Sequence, residues 1–113
     1  MTLSLTLPER IGAIILFAEV KIGNRAFLGF IKDARTAVEL KEEEIKEYGI
    51  KGRPDGWLDW AKSTQDNEKE FTITDGAYNF MKTRLEDLDK QGKMAMDLLP
   101  LANKILGDSE KNG

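Results

Sequence analysis

The sequence contains neither cysteine nor histidine. Without cysteine the chain cannot form disulfide bonds, thiol nucleophiles or thiolate–zinc sites, and without histidine it has no imidazole for acid–base catalysis or metal binding. A metal site would therefore need oxygen ligands alone, and the acidic residues do not follow the spacing of a calcium-binding loop. We expect no metal, no other cofactor and no enzymatic activity.

Long apolar runs are also missing. The longest uninterrupted non-polar stretch is residues 11–18, whereas an α-helix that crosses a bilayer needs about 20 apolar residues. This stretch predicts a buried helix, and we expect no membrane association. Residues 1–7 lack the basic residues that precede the apolar part of a secretory signal. Together with the absence of cysteine, this favours a cytoplasmic location.

Nucleotide-binding motifs are absent, since the sequence has neither GxGxxG nor GxxxxGK[ST]. The one setting that suggests carboxylate chemistry is Asp59, which lies between Trp57 and Trp60. A tryptophan beside an acid can raise its pKa or stack on a sugar. We interpret the two tryptophans instead as side chains that cover the core, with Asp59 pointing outward.

The 113 residues, 41% of them hydrophobic and 33% charged, suffice for one domain. We predict a single compact domain over residues 1–107 and a flexible polar tail over residues 108–113.

The negative charge is concentrated in one segment. The net charge is −3, and residues 39–48 contain five acids and two bases, so the rest of the chain is electrically balanced. The segment predicts a short acidic helix over residues 41–48, held to the core by Leu40, Ile45 and Tyr48. Such a run is commonly a solvated helix face; the functional alternative is a docking face for a basic partner. On either interpretation, replacing Glu43, Glu44 and Glu47 by lysine should leave the fold nearly intact.

Capping signals and apolar spacing predict the other helices. Thr6 and Glu9 form a capping box before a central helix that ends near Val20, followed by Gly23. Asn24 can cap a second helix over residues 25–38. Thr74 or Asp75 begins a helix that runs to about residue 91, and a last helix begins near Asp97.

Alternating polar and apolar residues predict strands at residues 2–7 and 68–74. We interpret residues 57–61, whose spacing is ambiguous, as a further strand. We expect the last two strands of the chain to form a β-hairpin. The predicted fold class is α+β, mainly helical, with four to five helices, a small β-hairpin and a short N-terminal third strand. An all-α fold is the alternative, since Trp57 and Trp60 would share a face if residues 57–61 were helical.

The predicted core comprises the large apolar residues of these helices: Ile11, Ile14, Ile15, Phe17, Phe27, Phe30, Ile31, Phe80, Met81, Leu85 and Leu88.

Four segments carry a resemblance to known proteins: residues 5–10 (LTLPER), 42–48 (EEEIKEY), 69–75 (KEFTITD) and 85–93 (LEDLDKQGK), together with the tryptophan-containing strand. In their order these features resemble small proteins of unknown function that are encoded in bacteriophages and prophages of low-GC bacteria. The resemblance implies a phage accessory protein in the host cytoplasm and implies no activity.

Two functions remain open at this point. The first is a non-enzymatic module that binds a host or phage protein. Its candidate partner-binding residues are Glu42, Glu43, Glu44, Glu47, Trp57 and Trp60. The second is a winged-helix-like regulator that binds nucleic acid, which the helix order suggests and the acidic third helix opposes, because its carboxylates would face phosphates. The sequence also leaves open a homo-oligomer.

Overall fold

The computed structural model describes residues 1–54, 58–60 and 68–107. Its elements in chain order are β1 (Thr2–Leu5), α1 (Leu7–Ala18), α2 (Arg25–Val38), α3 (Glu42–Tyr48), β2 (Lys51–Gly52), β3 (Leu58–Asp59), β4 (Lys69–Thr72), α4 (Asp75–Lys90), a 3₁₀ turn (Met96–Leu98) and α5 (Leu99–Leu106). The fold is mainly helical α+β, as the sequence predicts.

The predicted capping box begins α1. The Thr6 amide donates to Glu9 Oε1 at 2.8 Å, and the Glu9 amide donates to Thr6 Oγ1 at 3.4 Å. Pro8 is accommodated in the first turn, where its missing N–H has no helical partner. The helix is central, since it packs against α2, α4, α5 and β1. It ends at Ala18, earlier than predicted, and Gly23 lies in the following loop.

Side-chain caps also fix the starts of α2 and α4. Asn24 Oδ1 accepts from the Phe27 amide at 2.8 Å, and Thr74 Oγ1 accepts from the Ala77 amide at 3.2 Å. These bonds satisfy amides that have no partner within the helix. The predicted bounds of α2 are confirmed, and α4 ends one residue before the predicted position.

The strand pairing differs from the prediction. β4 pairs antiparallel with β1, placing Leu3 opposite Phe71, while β3 pairs with β2. The N-terminal strand is therefore confirmed, but the expected hairpin between the two later strands is wrong. Alternation identifies a strand and its buried face but does not identify its partner. Pairing with β1 lets Leu5 and Phe71 both enter the core.

The core joins α1, α2, α4, α5 and the β1–β4 sheet. Its buried apolar residues are Leu5, Leu7, Ala13, Leu16, Phe17, Ile31, Ala34, Val38, Phe71, Ile73, Ala77, Met81, Leu85, Leu88, Leu98, Leu101 and Ala102.

Five residues of the predicted core are buried, and most of the others lie half-buried at its edge. The prediction is wrong for Phe30, whose side chain is 43% exposed. The reason is helical phase: Ile31, Ala34 and Val38 form the buried stripe of α2, and Phe30 lies about 100° around the helix from Ile31.

A close helix crossing gives a prediction about two glycines. At Gly12 in α1, an added Cβ would lie 3.0 Å from Leu101 Cβ and 3.5 Å from the Asp97 carbonyl oxygen, whereas at Gly29 in α2 it would meet nothing within 4 Å. We expect Gly12→Ala to destabilise the protein by about 1–3 kcal/mol, because α5 must move away. Gly29→Ala should stabilise it by about 0.5–1 kcal/mol through helix propensity.

Urea unfolding of both variants measures the difference. Equal effects of the two substitutions would contradict the close α1–α5 crossing.

Candidate functional site

The acidic helix α3 lies where the sequence predicts it. It begins at Glu42, and Gly49 ends it in the left-handed conformation, with φ of 64°. Glycine suits this position because it has no Cβ to clash. At the other end, the Lys41 amide donates to Glu44 Oε1 at 3.3 Å.

A buried ion pair attaches α3 to α1. The Arg10 guanidinium donates two hydrogen bonds to the Glu44 carboxylate, at 2.5 Å from Nη1 to Oε2 and 2.8 Å from Nη2 to Oε1. The side chains are only 4% and 8% exposed. The two parallel bonds hold both groups in one geometry. We call this contact the Arg10–Glu44 pair.

The Arg10 side chain also reaches the end of α2 and strand β4. Its Nε donates to the Val38 carbonyl oxygen at 2.7 Å, and its Nη2 donates to the Glu39 carbonyl oxygen at 2.6 Å. Both carbonyls lie at the C-terminal end of a helix, where a cation is favoured by the helix dipole. The guanidinium carbon lies 4.8 Å from the centre of the Phe71 ring. One arginine thereby connects α1, α2, α3 and β4.

Hydrogen bonding from Arg10 lowers the pKa of Glu44 from its ordinary 4.5 to about 2, against the effect of burial, which raises it. Bonds from the Lys69 ammonium group, at 3.1 Å, and from the Lys41 amide contribute smaller parts of this lowering of the Glu44 pKa. Glu44 is therefore ionised at neutral pH. Because its pKa is depressed in the folded state, the stability it contributes is present above pH 4.5 and is lost as the pH falls towards 2.

The burial of Glu44 corrects two predictions. It does not belong to an exposed docking face, since its carboxylate is turned inward to Arg10. Replacing Glu43, Glu44 and Glu47 together by lysine cannot leave the fold nearly intact, because a lysine at position 44 would bring a second cation against buried Arg10.

The other three carboxylates of α3 point into solvent. Glu42, Glu43 and Glu47 are exposed, and none of them forms an ion pair with a residue in the described part of the chain. Ile45, predicted as an anchor, is 39% exposed, so an apolar side chain lies among these acids. The ion pair of Glu44 attaches α3 in addition to the covered part of Ile45. We call Glu42, Glu43 and Glu47 the acidic face.

Of the two tryptophans predicted to bind a partner, the structure describes one. Trp60 is half-buried directly after β3, and Trp57 lies outside the described residues. Leu58–Asp59 is extended and paired, which agrees with the strand interpretation of this segment. Asp59 is exposed, and its Oδ1 lies 3.7 Å from Arg53 Nη1.

Sequence reasoning missed the residue that organises this site. Arg10 is the single charged residue after the capping box in an otherwise apolar helix, and a charge in that setting requires a buried partner. This signal was available, but it did not indicate which of the acids would be the partner.

Among residues 1–54, 58–60 and 68–107, no three carboxylates are grouped closely enough to hold a metal ion. The helices of these segments are also too short or too polar to cross a bilayer. The chain matches no protein-family model, no curated protein and no solved structure.

Proposed function

We propose that this protein is a non-enzymatic protein-interaction module whose acidic face binds a basic segment of a partner protein. The observation that carries the proposal is the contrast within α3. Its one buried carboxylate is fully paired, whereas its three exposed carboxylates have no ion-pair partner in the described part of the chain. The negative charge is thus directed outward from the surface.

The attachment of α3 supports this proposal. Glu44 fixes the helix to α1 through two hydrogen bonds to Arg10, so the acids are presented on a helix whose position is set. A surface on a helix that is already fixed in place loses little conformational entropy when a partner binds. Glu43 and Glu47 are one helical turn apart, and their Cβ atoms are spaced by about 6 Å, which suits two basic side chains on one face of a partner.

Ile45 supplies an apolar contact beside the charges. With 39% of its surface exposed, it can be buried by a partner, and apolar burial adds affinity while charges chiefly raise the association rate. In keeping with the resemblance to small phage proteins, we extend the proposal to a host or phage protein as the partner, met in the bacterial cytoplasm.

The alternative is a winged-helix-like regulator that binds nucleic acid. The β2–β3 hairpin follows α3 directly, as a wing would. Against it, α3 would bring Glu42, Glu43 and Glu47 to the phosphates, and binding would lose the counterion release on which affinity for nucleic acid depends.

The test is capture of a protein from bacterial lysate with and without nuclease treatment, its identification by mass spectrometry and measurement of its association rate with the purified chain. The variant Glu42→Lys/Glu43→Lys/Glu47→Lys should associate at least about tenfold more slowly at low salt. The matched control is Asp33→Lys/Glu70→Lys/Asp89→Lys, which changes the net charge equally at exposed acids outside α3.

The control variant should bind the partner much faster than the α3 variant. Equal association rates for the two variants would show that the acidic face is a solvated surface only. Binding that disappears with nuclease and falls steeply with salt would support the nucleic-acid alternative instead.

A further inference from the structure

A second surface, remote from α3, contains aromatic rings beside polar and charged side chains. A shallow groove of about 380 Å³ runs between α2 and α4, with Phe27, Gly76 and Phe80 in its lining. The rings of Phe27 and Phe80 meet edge to face with centroids 5.6 Å apart, and Phe30 covers Gly76 at one side. We call this surface the aromatic groove.

A projecting isoleucine lies directly beside the aromatic groove. Ile22, in the loop between α1 and α2, is 90% exposed, which is the largest exposure among the large apolar side chains of the described residues. The next residue, Gly23, lies against Phe27, since an added Cβ there would be 2.6 Å from the Phe27 ring. A protruding apolar side chain and an apolar depression are therefore neighbours on one face.

The charges around these two features are complementary. Exposed Lys21 and Arg25 flank Ile22, and neither forms an ion pair within the described part of the chain. Asp87 lines the groove and is likewise unpaired there, whereas the other charged lining residue, Arg84, lies 3.6 Å from Glu19. The projection is thus basic, and the one unpaired charge among the described residues that line the groove is the carboxylate of Asp87.

From these observations we propose that the chain forms a two-fold homodimer in which Ile22 of each copy inserts into the aromatic groove of the other. A two-fold interface needs one self-complementary patch, and a projection beside a fitting depression is such a patch. Lys21 and Arg25 of one copy then approach Asp87 of the other, twice across the axis.

This interface leaves the acidic face free. Phe27 and the end of α2 at Val38, where α3 is attached, are about 16 Å apart along the helix at about 1.5 Å per residue. The dimer therefore presents two acidic faces. The proposal of a dimer does not depend on the function proposed for the acidic face.

Sedimentation equilibrium of the full chain, from about 1 µM to about 1 mM, tests the proposal. We expect a monomer–dimer equilibrium whose Kd rises at least tenfold in Ile22→Asp. Because Ile22 is almost fully exposed, this variant should have the same melting temperature as the monomeric wild-type protein. The matched control is Met96→Asp, at a 74% exposed apolar residue in the 3₁₀ turn, and it should dimerise as the wild type does.

A charge exchange makes the test specific to the two-fold arrangement. Asp87→Lys alone and Lys21→Glu/Arg25→Glu alone should each be monomeric, because both halves of their interfaces carry like charges. Mixing the two variants should restore a heterodimer, since one half is then native and the other half is reversed. A wild type that stays monomeric at 1 mM, a dimer unaffected by Ile22→Asp, or a mixture that remains monomeric would overturn the proposal.

Discussion

Replacing Glu44 by alanine should lower the free energy of unfolding by about 3–5 kcal/mol, because it leaves the buried charge of Arg10 without its partner. The Arg10 side chain is only 4% exposed, so water cannot take the place of the carboxylate without rearrangement. Urea unfolding at pH 7 measures the effect. The matched control is Glu43→Ala, the preceding residue of the same helix, whose exposed side chain has no ion-pair partner in the described segments.

We expect Glu43→Ala to change the stability by less than about 0.5 kcal/mol, as surface substitutions usually do. Similar costs for the two alanine variants would contradict the burial and pairing of Glu44.

The pH dependence provides a second control on the same residue. Relative to Glu44→Gln, the wild type should be more stable by about 3 kcal/mol at neutral pH, the equivalent of a pKa lowered from 4.5 to about 2. As the pH falls, the wild-type carboxylate takes up a proton and comes to resemble the glutamine. The difference should therefore shrink to less than half by about pH 3. A difference that stays constant over this range would show that the charge of Glu44 does not stabilise the fold.

Replacing Phe17 by alanine should cost about 3–5 kcal/mol, because its side chain is 1% exposed and its removal leaves a cavity at the centre of the core. Phe17 also stacks on Phe80, with ring centroids 6.3 Å apart. The same substitution at Phe30, which is 43% exposed, should cost about 1 kcal/mol or less, since part of its ring area is already in water.

Thermal and urea unfolding of the two phenylalanine variants are the measurements. A variant of Phe17 as stable as that of Phe30 would place Phe17 outside the core. Because the same side chain is removed at both sites, a difference in stability between the two variants reflects burial and not residue type.

The capped ends of the helices could be predicted from the sequence because they are determined by residues that are close together in the chain. Thr6 with Glu9, Asn24 and Thr74 each cap a helix through a hydrogen bond to a residue three positions away. Such bonds depend only on neighbouring residues. The caps at Thr6 and Asn24 were predicted at the correct positions, and Thr74 was one of two predicted caps for α4. Gly49 likewise ends α3 for a local steric reason.

Contacts between residues that are far apart in the sequence could not be predicted from such local signals. β4 pairs with β1 and not with its neighbour in the chain, because that pairing buries Leu5 and Phe71 together. The spacing of Phe30 fits the apolar stripe of α2, but Phe30 lies at the margin of that stripe. The position of α4 therefore decides how much of the Phe30 side chain is covered.

The acidic segment shows both what the sequence determined and what the tertiary structure decided. Its composition alone determined that the net charge of the chain is concentrated in α3. Which of its four glutamates is turned inward could not be derived from composition. That depended on Arg10, 34 residues earlier in the chain, reaching Glu44 once α1 and α3 had packed together. A charged pair forms in the interior only where packing brings both groups within hydrogen-bonding distance, so the tertiary structure decided which acids remained on the surface.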